Sequence, residues 1–125
     1  MSIKNVYGII GFDSEGNISP LKGSGDWSVV RNREGVYTVT FKDSVKFDDT
    51  PTVVLTEVYD GTKNNTYPGS DGDGDSGGDI GDVGTGSGAV LVWVRSDQFE
   101  LAVGSSGGSK EDRMVSFMAI GAADD

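Results

Sequence analysis

The sequence predicts an all-β protein, an antiparallel β-sandwich of about six or seven strands interrupted by one long Gly/Asp-rich loop. Three observations carry this. No window of about 11 or more residues sustains an i, i+3, i+4 apolar stripe. Alternation with period 2 recurs along the chain, as in Val36-Tyr37-Thr38-Val39-Thr40-Phe41. The segments between these runs are short and rich in Gly, Asn, Asp and Ser, the residues that turn a chain.

The first run, Val6 to Phe12, turns through Asp13-Ser14-Glu15-Gly16-Asn17. Residues 26 to 42 read as a hairpin whose polar loop Arg31-Asn32-Arg33-Glu34-Gly35 places a glycine where φ must be positive. Tyr37, Val39 and Phe41 share one face and are expected in the core, as is Trp27. Thr52 to Val58 is apolar on both faces at its start, with Pro51 at its entrance, and reads as a middle strand. Ala89 to Val94 and Phe99 to Val103 form a second hairpin around Ser96-Asp97-Gln98, with Phe99, Leu101 and Val103 on one face and Trp93 packed between the sheets. The last strand, Met114 to Ile120, ends at Gly121, leaving residues 122 to 125 as a tail expected to fray. Since one open sheet would leave an apolar face in water, the strands are expected to pack as two sheets of a single domain spanning residues 1 to 125.

Composition excludes more chemistry than it suggests. With neither Cys nor His, the chain has no disulfide, no thiolate metal site and no imidazole base. A net charge of −10 repels polyanions, and no basic stripe offsets it, so nucleic acid is not an expected partner. Glu57, Glu100 and Asp112 are the carboxylates considered for acid/base work, but no spacing brings two of them to one cleft, and Ser109-Lys110 lacks the strained elbow of a nucleophile. The expectation is therefore a non-enzymatic protein. The amino terminus lacks a basic segment followed by an apolar run, and no stretch reaches the roughly 18 apolar residues of a membrane span. The location is left open, with cytoplasm, virion and bacterial surface all compatible.

Ten of the twenty glycines fall between Asp60 and Gly88, where alternation disappears. Structureless loops beyond about 12–15 residues are uncommon in compact domains and are often functional. Asp71, Asp73, Asp75, Asp79 and Asp82 fall at positions 1, 3, 5, 9 and 12 of the helix-loop-helix calcium pattern, which suggests Ca²⁺ as a cofactor. Position 6, which wants Gly, is Ser76, and position 12 is Asp rather than Glu. The alternative is a solvated acidic tract that aids solubility.

Phe47, Pro51 to Leu55, Val90 to Val94, Phe99-Glu100-Leu101 and Val115 to Gly121 together resemble the H-type lectin fold and the domains at the tips of phage tail fibres. The opening segments Gly23 to Val29 and Gly35 to Phe41 look like the first hairpin of small bacterial and phage surface domains. The resemblance implies a sandwich that assembles as a trimer, with sugar held near the subunit boundary. The sugar-binding residues of such lectins do not carry over: this sequence has Ser106-Gly107 where they place an aromatic residue and a histidine, and Ala89 near their arginine.

Assembly also has a physical argument. Val54, Thr56 and Val58, with Val90, Val92 and Val94 and with Val115, Phe117 and Ala119, give three strands an apolar second face besides the core face. A lone sandwich cannot cover both, so that face is expected to be the oligomer interface, closing a ring with a valine-lined axis. The function expected is a homo-oligomeric, Ca²⁺-assisted recognition module for a glycan or other cell-surface ligand. The alternative is a structural fibre-tip or trimerisation domain with no small ligand.

Overall fold

The computed structural model describes residues 2–58, 88–104 and 109–123, and among these the chain forms eight strands and no helix. They are β1 (Ser2–Phe12), β2 (Ile18–Gly23), β3 (Trp27–Arg33), β4 (Val36–Phe41), β5 (Thr52–Glu57), β6 (Gly88–Val94), β7 (Gln98–Gly104) and β8 (Val115–Ala123). Two antiparallel four-stranded sheets, ordered β2-β1-β8-β5 and β3-β4-β7-β6, pack face to face as a β-sandwich.

Alternation decides which side chains lie between the sheets. Val6, Ile10 and Phe12 of β1 and Val115, Phe117 and Ala119 of β8 face Tyr37, Val39 and Phe41 of β4 and Phe99, Leu101 and Val103 of β7. A string of aromatic rings crosses this core. Trp27 meets Phe117 edge-on at 4.9 Å, Phe117 meets Phe99 at 5.3 Å, Phe99 lies 5.9 Å from Phe41, and Phe41 meets Phe47 at 5.2 Å. Trp27 fits because the strand beneath it has no side chain at Gly8, where a Cβ would stand 2.1 Å from the indole.

Both predicted hairpins are present. The first is tighter than expected, with Glu34-Gly35 as a two-residue turn, Gly35 at φ +73° and one extra residue, Asn32, bulged beside it. The turn after β1 is held by the Asp13 carboxylate, which accepts the backbone N–H groups of Glu15 and Asn17.

Several expectations are corrected. An eighth strand, β2, was missed because Ile18-Ser19-Pro20-Leu21-Lys22-Gly23 does not alternate: Leu21 is an extra residue opposite the Ile9/Ile10 step, and Pro20 is tolerated because β2 is an edge strand. The Thr52–Glu57 strand is an edge strand rather than a middle one. The tail does not begin to fray at residue 122. Ala122 and Ala123 pair with Ile3 and Ser2, and Ala123 is fully buried and bridged to Phe47. The loop after β4 thereby spans from one sheet to the other and closes that end of the sandwich.

Candidate interaction faces and the polar clasp

The two outer faces differ in character. On the β2-β1-β8-β5 sheet, register aligns transverse rows of outward side chains: Asn5, Ile120 and Thr52; Tyr7, Met118 and Val54; and Lys22, Ile9, Ser116 and Thr56. The middle row is apolar and open to solvent, with Tyr7 50 %, Met118 46 % and Val54 57 % exposed. Ile3, Leu21 and Ile120 extend the patch. A shallow depression of about 500 Å³ runs across it, and Lys22 is the one charged residue in its lining. Exposed apolar residues that adjoin one another and carry little charge are the usual composition of an interaction surface.

The expected oligomer face is only partly assembled. Val54 and Thr56 point outward as predicted, and Val58 follows β5, half-buried and donating its N–H to the Met114 carbonyl. Val115 and Phe117, with Ala119, belong to the core instead. β8 is apolar on both faces, and its outward residues are Met118 and Ile120. Val90 and Val92 are exposed, but on the other sheet, so the three strands do not share one face. Val94 turns inward against the core because Val92 is an extra residue between the Leu91–Leu101 and Trp93–Glu100 pairs, which reverses the phase of the strand. The same bulge puts Trp93 on the outer face, contrary to the expectation that it packs between sheets. There the guanidinium of Arg95 covers it, 4.5 Å from the ring centroid. Sequence reading overlooked Tyr7 and Ile9, whose signal was the outward alternation Ile3, Asn5, Tyr7, Ile9.

The outer face of the β3-β4-β7-β6 sheet is more polar. Ser28, Thr40 and Gln98 form one row, and Val30, Thr38, Glu100 and Trp93 another. Gln98 donates to Thr40 Oγ1 at 3.2 Å and Asn32 to Thr38 Oγ1 at 2.7 Å.

A polar clasp binds the segment before β8 to the rest of the fold. Asp112 accepts from Arg31 Nε at 2.9 Å and from the Gly35 N–H at 2.8 Å. The Tyr37 hydroxyl accepts the Arg113 N–H and donates to the Arg113 carbonyl. Burial, followed by the nearby Asp112 charge, holds the Tyr37 phenol well above its usual value. Arg113, itself buried, pairs with Glu57 at 3.1 Å and Glu111 at 3.0 Å. Burial raises the Glu57 pKa more than the Arg113 charge lowers it, whereas for Arg113 the penalty of burial is outweighed by Glu111 and Glu57, and its pKa rises. Glu57 and Glu111 therefore share Arg113, while Asp112 is tied to Arg31 and the Gly35 N–H. Glu100 lies apart, on the outer face of β7.

Asp71, Asp73, Asp75, Asp79 and Asp82 lie outside the described residues. Among the described residues no cluster of three or more acidic side chains has the arrangement to hold a metal ion. Compared with known proteins, the chain matches no family model, and no curated protein or solved structure matches it significantly.

Proposed function

We propose that the protein is a non-enzymatic recognition module that works as a homo-oligomer, with copies joined through the outer face of the β2-β1-β8-β5 sheet. The trimer implied by the H-type lectin resemblance is the expected assembly. The observation that carries the reading is the solvent-exposed row of Tyr7, Met118 and Val54. A second copy suits this face for an electrostatic reason. Chains of net charge −10 repel one another, and they approach most readily where the surface is apolar and nearly uncharged. Ligand contact falls to the surfaces left free, a glycan or other cell-surface molecule being the expected class. Ca²⁺ bound by Asp71, Asp73, Asp75, Asp79 and Asp82 belongs to the same reading, and a calcium titration followed by tryptophan fluorescence tests it.

The alternative, a fibre-tip or trimerisation domain with no small ligand, uses the same face. A light-scattering mass at micromolar concentration tests what the two share. A multiple of 13.1 kDa that falls to a single copy in Val54→Glu supports assembly through this face. A wild-type protein that is monomeric at that concentration refutes both. Screening against a glycan panel then separates them.

A further inference from the structure

At the end of the sandwich, the loop after β4 and the turn between β6 and β7 flank an open cleft of about 430 Å³. This is within the roughly 300–1,000 Å³ of small-molecule sites. Lys42, Asp43 and Lys46 line it from the loop, and Arg95, Ser96 and Asp97 from the turn. The nearly buried rings of Phe41 and Phe47 complete the lining.

Three of the ten Lys and Arg residues in an acidic chain thus converge on one cleft. Among the described residues none of the three is ion-paired, although Asp43 and Asp97 line the same space. Both walls are preset by the backbone. The Phe41 N–H bonds the Asp97 carbonyl at 2.9 Å, the Arg95 N–H the Gln98 carbonyl at 2.8 Å, and the Val45 N–H the Lys42 carbonyl at 2.9 Å. Arg95 is further steadied by stacking on Trp93. Lys46 is at φ +43°, the one non-glycine residue with positive φ among the described residues. Val45 and Phe47 on either side are buried, and the Lys46 side chain is exposed at the cleft.

The mixture of charges narrows the ligand. A simple anion would meet two carboxylates, and a neutral sugar would draw nothing from the charge of the three exposed cations. A polyol that carries a carboxylate answers both, because its hydroxyls donate to aspartates while its acid group accepts from Arg and Lys. We infer that this cleft binds an acidic saccharide, with the uronate carboxylate held by Arg95 and Lys46 and the ring hydroxyls by Asp43, Ser96 and Asp97. The inference rests on the recognition reading above and names its ligand class, at a place separate from the apolar face.

The test is calorimetric titration of the full chain with trigalacturonate and, in parallel, maltotriose, with a light-scattering mass taken on each sample. The expected result is a Kd below ~1 mM for trigalacturonate, weakening as salt rises, and no measurable binding of maltotriose. Arg95→Gln and Lys46→Asn are each expected to weaken binding about tenfold or more with the mass unchanged. Asparagine tolerates the left-handed backbone at position 46, so the second variant removes the charge without straining the loop. Absence of trigalacturonate binding, equal binding of maltotriose, or full binding in both variants would overturn the inference. Because the mass is read separately, a monomer that still binds trigalacturonate refutes the assembly reading and supports this one.

Discussion

Phe117 and Met118 are neighbours on β8 with opposite surroundings, and replacing each in turn separates the core from the assembly face. Phe117 is 3 % exposed and touches Trp27 and Phe99 edge-on, so Phe117→Ala removes a ring that the sandwich cannot easily refill. Truncations of this kind cost about 3–5 kcal/mol, a large part of the ~5–15 kcal/mol that holds a domain together. For a chain of 125 residues the unfolding entropy is about 0.26 kcal/mol/K, and a loss of about 4 kcal/mol lowers Tm by about 15 °C. Met118 is 46 % exposed, and Met118→Glu changes the isolated fold by only about 0.5 kcal/mol, while placing a carboxylate in the middle of the apolar row. The expected outcome is a protein of single-copy mass that still melts cooperatively, and that has lost the rise in Tm with concentration shown by an assembling wild type. Thermal melts over a range of concentrations, with light scattering at each, measure both effects. The reasoning is refuted if Met118→Glu keeps the wild-type mass, or if it melts as low as Phe117→Ala.

The clasp and the turns yield further expectations. Asp112→Ala is expected to cost about 3 kcal/mol in urea unfolding, because the Arg31 guanidinium and the Gly35 N–H both lose their acceptor. Gly8→Ala drives a methyl into the Trp27 ring and should lower Tm by several degrees, with loss of the near-ultraviolet tryptophan signal as the readout. A raised phenol pKa means that the stability due to neutral Tyr37 is complete below its ordinary value of 10.0 and is lost as pH climbs beyond it. Wild type should therefore weaken more steeply than Tyr37→Phe above about pH 10 in urea titrations. Glu57 is also raised, so its contribution is fullest below its ordinary value of 4.5 and declines as pH rises through the folded-state value. Glu57→Gln should flatten that part of the pH–stability curve.

What could be read from the sequence depended on whether the two sides of a strand differ. Val36 to Phe41 and Phe99 to Val103 supplied the core as expected, since the larger side chains alternate with smaller or polar ones and the register leaves little choice. β8 offered no such contrast: Val115, Phe117 and Ala119 are no more apolar than Met118 and Ile120, and only the opposing sheet decides which set is buried. The bulge at Val92 was equally hidden, because one extra residue in a run of valines has no compositional mark, yet it turns Val94 in and Trp93 out. β2 was masked by Pro20 and Lys22, residues that an edge position accepts. The cleft between the β4 loop and the β6–β7 turn joins residues about fifty positions apart. No local pattern announces that Lys46 and Arg95 line one space.

The pairing of β1 with β8 has a kinetic corollary. Ser2 lies opposite Ala123, so β1, although it can pair early with β2, keeps its other edge open until β8 has been made. The β3–β4 hairpin can zip early from local contacts, whereas closing a loop of about 120 residues is slow and entropically unfavourable. During synthesis the Val6, Ile10 and Phe12 side chains stay uncovered by β8 until β8 itself leaves the ribosome. Truncating the chain before Val115 is therefore expected to give an aggregation-prone species rather than a smaller stable domain.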